Sequence, residues 1–206
     1  MSVGGECRTA GACSVMQKAE EKELYIVFVD ETGFTLDPLV RRTWAPRGQT
    51  PVIRVTAPHE RISAIGAMTI KRSPVRFGFH FHLLPDNWNF QGRSVAAFLN
   101  DLRHRLRGPI TLVWDQIRIH SAEPVKKYLS RHPGIEVEEL PPYAPELNPV
   151  DFVWSYVKCA RLGNYCPHDL IELRNTVMAE LTRVKKSPRL LRSLFSGTGL
   201  TLDGLE

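Results

Sequence analysis

Two nearly unbroken apolar runs constrain this chain more than anything else in it. Leu24–Val29 (LYIVFV) and Ile110–Trp114 (ITLVW) contain no charged residue and do not alternate apolar with polar. A strand with one wet face alternates; a run like these reads as a strand buried on both faces. Burial on both faces requires cover on both sides, which a single domain supplies with helices. Both runs are far too short to span a membrane. Each is followed directly by a carboxylate, Asp30 and Asp115. An acid closing a buried strand needs hydration, a partner or a cation.

The remaining elements fit around these two strands. Pro51–Thr56 and Ile62–Thr69 read as further strands, and Ile135–Leu140 as another. Val75–Leu84 (VRFGFHFHLL) alternates with period two, as a half-buried strand near a sheet edge does. His80 and His82 share its polar face and are expected to face solvent, not a metal. Gln91–Leu106 carries a helical stripe of Val95, Phe98, Leu99, Leu102 and Leu106, stopped by Gly108-Pro109. A short helix is expected over Pro124–Ser130. Two last helices, 168–186 and 188–196, are split at Ser187-Pro188 and are expected to cover the sheet, not to form a helix-turn-helix. The order predicts an α/β fold with a mixed sheet, antiparallel early and parallel late. Residues 1–22 read as a flexible tail, and 23–206 as one domain that includes the C-terminal helices at about 167–196.

The stretch LPPYAPELNPVDFVWSYVK, Leu140–Lys158, is the third landmark. Its prolines stiffen a loop. Asn148 then reads as an N-cap and Pro149 as the first helical residue. Val150, Val153, Trp154 and Val157 form an inward face at i, i+3, i+4 and i+7. Asp151 falls in the first turn beside that face, where the helix dipole favours its charge.

In an α/β sheet the carboxyl ends of strands and the starts of helices gather at one edge, where ligands bind. Asp30, Asp115 and Asp151 would meet there and repel one another unless protonated or bridged by cations. Carboxylate oxygens suit Mg²⁺ or Mn²⁺. Two such ions could hold both the attacking and the leaving oxygen of a phosphoryl displacement. The net charge of +5 points to a polyanionic partner. Between residues 158 and 192, eight Lys or Arg face three acids. Cys7, Cys13, Cys159 and Cys166 fit no common zinc spacing and read as reduced thiols of a cytosolic protein. No secretory signal is visible.

VFVDETGF, LVWDQIRIH and LPPYAPELNPVDFVWSYVK resemble the three catalytic blocks of DDE/DDD transposases, nearest the mariner-like bacterial insertion-sequence transposases of the insertion-sequence 630 group. RRTWAPRGQTP, SAIGAMT and LGNYCPHDLIELR add to the likeness, which covers roughly residues 24–196. Thirty-five residues, 116–150, separate the second and third acids, close to the spacing of that group. The resemblance implies a ribonuclease-H-like five-stranded sheet flanked by helices. It makes Asp30, Asp115 and Asp151 catalytic ligands for two Mg²⁺ or Mn²⁺ ions. It also implies DNA as partner, both transposon ends and target, with hydrolysis at the element's end followed by attack of the freed 3′-hydroxyl. A homodimer acting in the bacterial cytoplasm at the nucleoid is expected.

The chain departs from that group in several places. The third acid is Asp, not the usual Glu, and Gln116 stands where Asn or Gly is usual. His120 matches a position beside the second block and is open to contact with DNA, support of Asp115 or capping of the next helix. Lys158, Arg161, Lys185 and Lys186 are further candidates for DNA contact. Glu31 and Glu146 read as surface or loop residues. Only about 23 residues precede the first strand, too few for a helix-turn-helix module, so the chain reads as a catalytic half, either the second frame of a two-frame element or a fragment. Weak end recognition by this chain alone is expected, with a separate upstream helix-turn-helix protein as a candidate partner. The alternatives are a decayed DNA-binding remnant and a nuclease for RNA–DNA hybrids.

Overall fold

The computed structural model describes residues 25–53, 60–72, 74–142 and 144–201. In it the two apolar runs lie side by side at the centre of a five-stranded sheet. The strands are β1 (Tyr25–Thr35), β2 (Arg61–Lys71), β3 (Arg76–Leu83), β4 (Ile110–Trp114) and β5 (Ile135–Glu139). The helices are α1 (Gly92–Leu106), α2 (Glu123–Ser130), α3 (Pro149–Ser155), α4 (Leu170–Lys185) and α5 (Pro188–Ser196). A wider π-helical segment, Tyr156–Arg161, continues α3. Strand order is β3-β2-β1-β4-β5. Antiparallel pairing joins β1, β2 and β3, and parallel pairing joins β1, β4 and β5. This is the mixed sheet, antiparallel early and parallel late, that the strand pattern predicts, and it agrees with the ribonuclease-H-like arrangement that the resemblance implies.

Strand pleating sends successive side chains to opposite faces, and each face has its own core. Ile26 and Phe28 point into one core, with α3, α4 and α5. Val27 and Val29 point into the other, with α1 and α2. All five residues of β4 are buried, as the apolar run requires. Leu170, Leu173, Val177 and Leu181 of α4, with Leu191 and Phe195 of α5, close the first core, so the last two helices cover the sheet. Among the described residues no helix is long and apolar enough to cross a membrane.

Several expectations need correction. β1 does not end at Asp30: pairing with β2 continues through Thr35↔Arg61, although pairing with β4 stops at Phe28↔Val113. One neighbour is enough to keep Asp30-Glu31-Thr32-Gly33 extended despite their polarity. Residues 51–53 form no strand, and 54–59 lie outside the described residues, as do Leu24, the 1–22 tail, Cys7 and Cys13. Gln91 caps α1 instead of opening it, and Asp169 caps α4, its side chain accepting from the Glu172 N–H. His82 is exposed, 3.5 Å from Asp101 and edge-on to Phe98. His80 is half-buried instead of solvent-facing, and burial, with Lys185 and Arg105 nearby, lowers its pKa to about 4.

Candidate active site

The three aspartates come from three different elements and line one cavity of about 470 Å³. Asp30 rides on β1, Asp115 follows the last residue of β4, and Asp151 sits in the first turn of α3. Gln116, Leu140 and Asn148 line the same cavity. Parallel pairing of β1 with β4 brings the first two acids to one edge. The third arrives there because Asn148 ties the start of α3 to β1. Its Oδ1 accepts from the Val150 N–H at 3.1 Å, and its Nδ2 donates to the Val29 carbonyl at 3.0 Å. Asn148 is buried, so both bonds form away from water, where an unmet amide is costly.

Asp30 is held from the first core. Trp154 Nε1 donates to its Oδ2 at 2.9 Å. That ring has space because the β2 residue opposite Asp30 is Gly66. A Cβ built on Gly66 would lie 2.7 Å from two Trp154 ring carbons and 3.0 Å from Phe79. Trp154 therefore has two functions: a core residue, as its helical spacing predicts, and a donor to the cavity.

Glu31, the next residue, points to the opposite face by strand alternation. There it meets His120, whose Nε2 donates to Glu31 Oε1 at 3.1 Å. His120 Nδ1 donates to the Asp115 carbonyl at 2.9 Å and lies 3.1 Å from Asp115 Oδ1. The imidazole stacks on Trp114, with centroids 4.1 Å apart and planes 4° from parallel. Burial alone would lower the His120 pKa. The hydrogen bonds with Asp115 and Glu31, and the charge of Glu31, outweigh it and raise the pKa to about 10. His120 is thus an imidazolium at neutral pH, donating from both nitrogens. It is 5% exposed, so neither nitrogen is left for a DNA phosphate.

Glu31 is not a surface residue, as its sequence context had suggested. Its side chain is 12% exposed, and Oε2 is buried without a hydrogen bond. The partner lies 89 positions away, and no local pattern announces it. The one available signal was the acid pair itself, because neighbouring strand residues must serve opposite faces.

The cavity is short of positive charge. Burial first, then Asp151, Glu31 and Asp115, raise the Asp30 pKa to about 8. Burial and Asp115 also raise that of Asp151, against the pull of a hydrogen bond with Asp30 and of Lys158. Lys158 Nζ donates to Thr32 Oγ1 at 2.6 Å and lies over the Phe34 ring, so it faces β1. Burial lowers its pKa. Carboxylate oxygens crowded with this little counter-charge are the donor set that a hard divalent cation takes. Among the described residues no three His, Cys, Asp or Glu side chains close around an ion.

The other candidates stand apart. Arg161 forms a two-pronged bond with Glu180, at 2.7 and 3.2 Å, and Arg183 shares that carboxylate. Lys185 and Lys186 are exposed at the end of α4, where they border a groove at the β3 edge. Gln116 reaches back across the cavity to the Leu140 carbonyl at 3.3 Å. Glu146 is exposed on the short turn before α3.

A family model described as DDE superfamily endonuclease matches residues 25–174. Among solved structures, a Mos1 transposase paired-end complex with left transposon end aligns at TM-score 0.58 and 15% identity, covering 98% of this chain and 65% of that one. A mariner Mos1 paired-end complex with Mg aligns at 0.63 and 14%, covering 97% and 61%. The catalytic domain of Mos1 mariner transposase aligns at 0.53 and 12%, covering 98% of each chain. At these identities the likeness is one of fold. The chain thus spans less than two thirds of the transposase chains in the paired-end complexes. No curated protein matches it.

Proposed function

The chain belongs to the DDE superfamily endonuclease family, and from that premise we propose that it is the catalytic domain of a mariner-like insertion-sequence transposase. Its reaction is cleavage of a DNA phosphodiester at the element's end and transfer of the freed 3′-hydroxyl to target DNA. The observation that carries this reading is the meeting of Asp30, Asp115 and Asp151 at one cavity from three separate elements.

Asp30, Asp115 and Asp151 are proposed to hold Mg²⁺ or Mn²⁺, two ions when fully loaded. Bound there, the metal would activate the nucleophile and neutralise charge on the leaving oxygen. The protein's own share is positioning. Trp154 fixes one Asp30 oxygen, Asn148 fixes the start of α3 against β1, and His120 holds Asp115 against Glu31. With Asp at the third position, that carboxylate is one methylene nearer its helix than Glu would be. Lys185 and Lys186 are proposed as DNA contacts, with salt-sensitive, sequence-independent binding. Arg161 and Lys158 are already engaged within the fold, and their contribution is to hold it. End recognition, synapsis by a homodimer and an upstream helix-turn-helix protein belong to the same proposal, as does action at the nucleoid.

The decayed remnant is not favoured. The family match spans all three acids, and each acid retains a specific structural setting.

The test is strand cleavage of duplex carrying the element's terminal repeats, with Mg²⁺ or Mn²⁺ and any upstream helix-turn-helix protein supplied. Asp115→Asn should abolish cleavage and leave DNA binding intact. Cleavage that persists in Asp115→Asn would overturn the assignment.

A further inference from the structure

At the far end of β4 from Asp115 lies a second cavity, of about 410 Å³. It is lined by Arg103, Arg107, Arg131 and His132, and by the turns that lead into β4 and β5. No carboxylate lines it. At about 3.3 Å per strand residue, the length of β4 puts it roughly 16 Å from the aspartate cavity. We propose that this pocket is a phosphate-binding site that grips the backbone of duplex DNA away from the catalytic cavity.

Four observations carry the proposal. First, the charge exceeds what the fold needs. α1 and α2 both end here, and two helix ends carry together about one unit of negative charge. Three guanidiniums supply more than that. Second, Arg107 and Arg131 form no ion pair among the described residues. Third, Arg103 Nε is buried with no hydrogen bond, and the Tyr128 hydroxyl lies against the same guanidinium. Buried donors without partners are rare and point to a missing ligand or water. Fourth, Arg107 holds a left-handed backbone, φ 48° and ψ 45°, where a helix usually ends on glycine. Strain of this kind persists where a side chain is wanted in one place. His132 is fixed in turn, its Nδ1 bonded to the Tyr128 carbonyl at 2.8 Å and its ring packed against the Tyr128 ring.

Guanidinium forks match phosphate oxygens bidentately, which suits a phosphodiester better than a carboxylate-poor surface alone would. The inference rests on the proposed function only in taking DNA as the ligand.

The test is fluorescence anisotropy of a labelled random-sequence duplex at several salt concentrations, using the full chain. Each lost phosphate contact lowers the slope of log affinity against log salt by about 0.9. Arg107→Gln with Arg131→Gln should therefore lower it by about 1.8, equally for unrelated sequences. Arg107→Lys with Arg131→Lys keeps the charge and should retain the slope, which separates a binding defect from a folding one. In parallel, the amide NMR signals of Gly108 and Gly134 should shift on adding duplex. An unchanged slope in the Gln variant overturns the second site while leaving the proposed function standing. Shifts with inorganic phosphate but none with duplex would also overturn it. Wild-type protein that binds no duplex would overturn both.

Discussion

Gly66→Ala should disturb the aspartate cavity without altering any group that lines it. The new Cβ would lie 2.7 Å from two Trp154 ring carbons. Carbon atoms pack well at about 3.5–4.0 Å, so the ring must move by roughly 1 Å. Its surroundings resist: Phe34 and Phe79 pack edge-on at 6.2 and 6.0 Å, and Trp154 is 3% exposed. Overpacking of this kind costs about 1–3 kcal/mol. In a chain of this length that is roughly a 2–12 °C fall in Tm. The same movement stretches the 2.9 Å bond from Trp154 Nε1 to Asp30 beyond hydrogen-bonding range. Thermal unfolding followed by circular dichroism reads the first effect, and carboxyl NMR of Asp30 reads the second. Loss of a donor to the ionised form should move the Asp30 pKa further up. Trp154→Phe introduced alongside Gly66→Ala should relieve part of the stability loss but not restore the bond, giving a favourable coupling in the double-mutant cycle. A Gly66→Ala variant within about 0.5 kcal/mol of wild type, with the Asp30 titration unmoved, would refute the account of how Trp154 is pinned.

Further outcomes follow from the same contacts. His120→Phe keeps a ring against Trp114 but strands the buried Glu31 carboxylate, and should cost about 3 kcal/mol by urea denaturation. Adding Glu31→Gln should recover part of that loss, and strictly additive losses would count against the pair. Metal-free protein should lose stability as pH rises. Asp30 has a folded pKa of about 8 against an ordinary 3.8, so the native state holds an extra proton between those values and stability falls across them. His120, at about 10 against 6.5, adds a fall over its own interval. Asp30→Asn should make the fall shallower between about pH 4 and 8, most of all below about 6.5, and leave the fall that His120 contributes above it. Glu180→Gln weakens the bonds to Arg161 and Arg183, and a stability loss with no change in DNA affinity would mark Arg161 as structural.

How much of this was legible in the sequence depended on whether the controlling interaction was local. The two apolar runs, the α1 stripe and the Asn148 cap are set by neighbours within a few residues, and all three were readable. The extension of β1 beyond Asp30 was not, because its polar residues are kept extended by β2, paired from Arg61 onward. The His120–Glu31 bond and the Trp154–Asp30 bond were hidden for the same reason, spanning 89 and 124 positions. Gly66 carried a faint signal, since a glycine inside a buried strand marks a close approach of something bulky. The second cavity was invisible, because Arg103 lies in α1 and Arg131 just beyond α2, and those helix ends meet only in the folded chain.

The continuation of β1 past its parallel neighbour gives the three acids unequal mounts. Asp30 hangs from a ribbon that is still laced to β2 for five residues beyond it, whereas Asp115 and Asp151 stand on a loop and at a helix tip. Any breathing that widens or narrows the space among them must therefore come from two sides of the triangle, with the third corner serving as a fixed anvil. Amide exchange should be slowest at the fixed corner and quicker at residues 115–117 and 144–148.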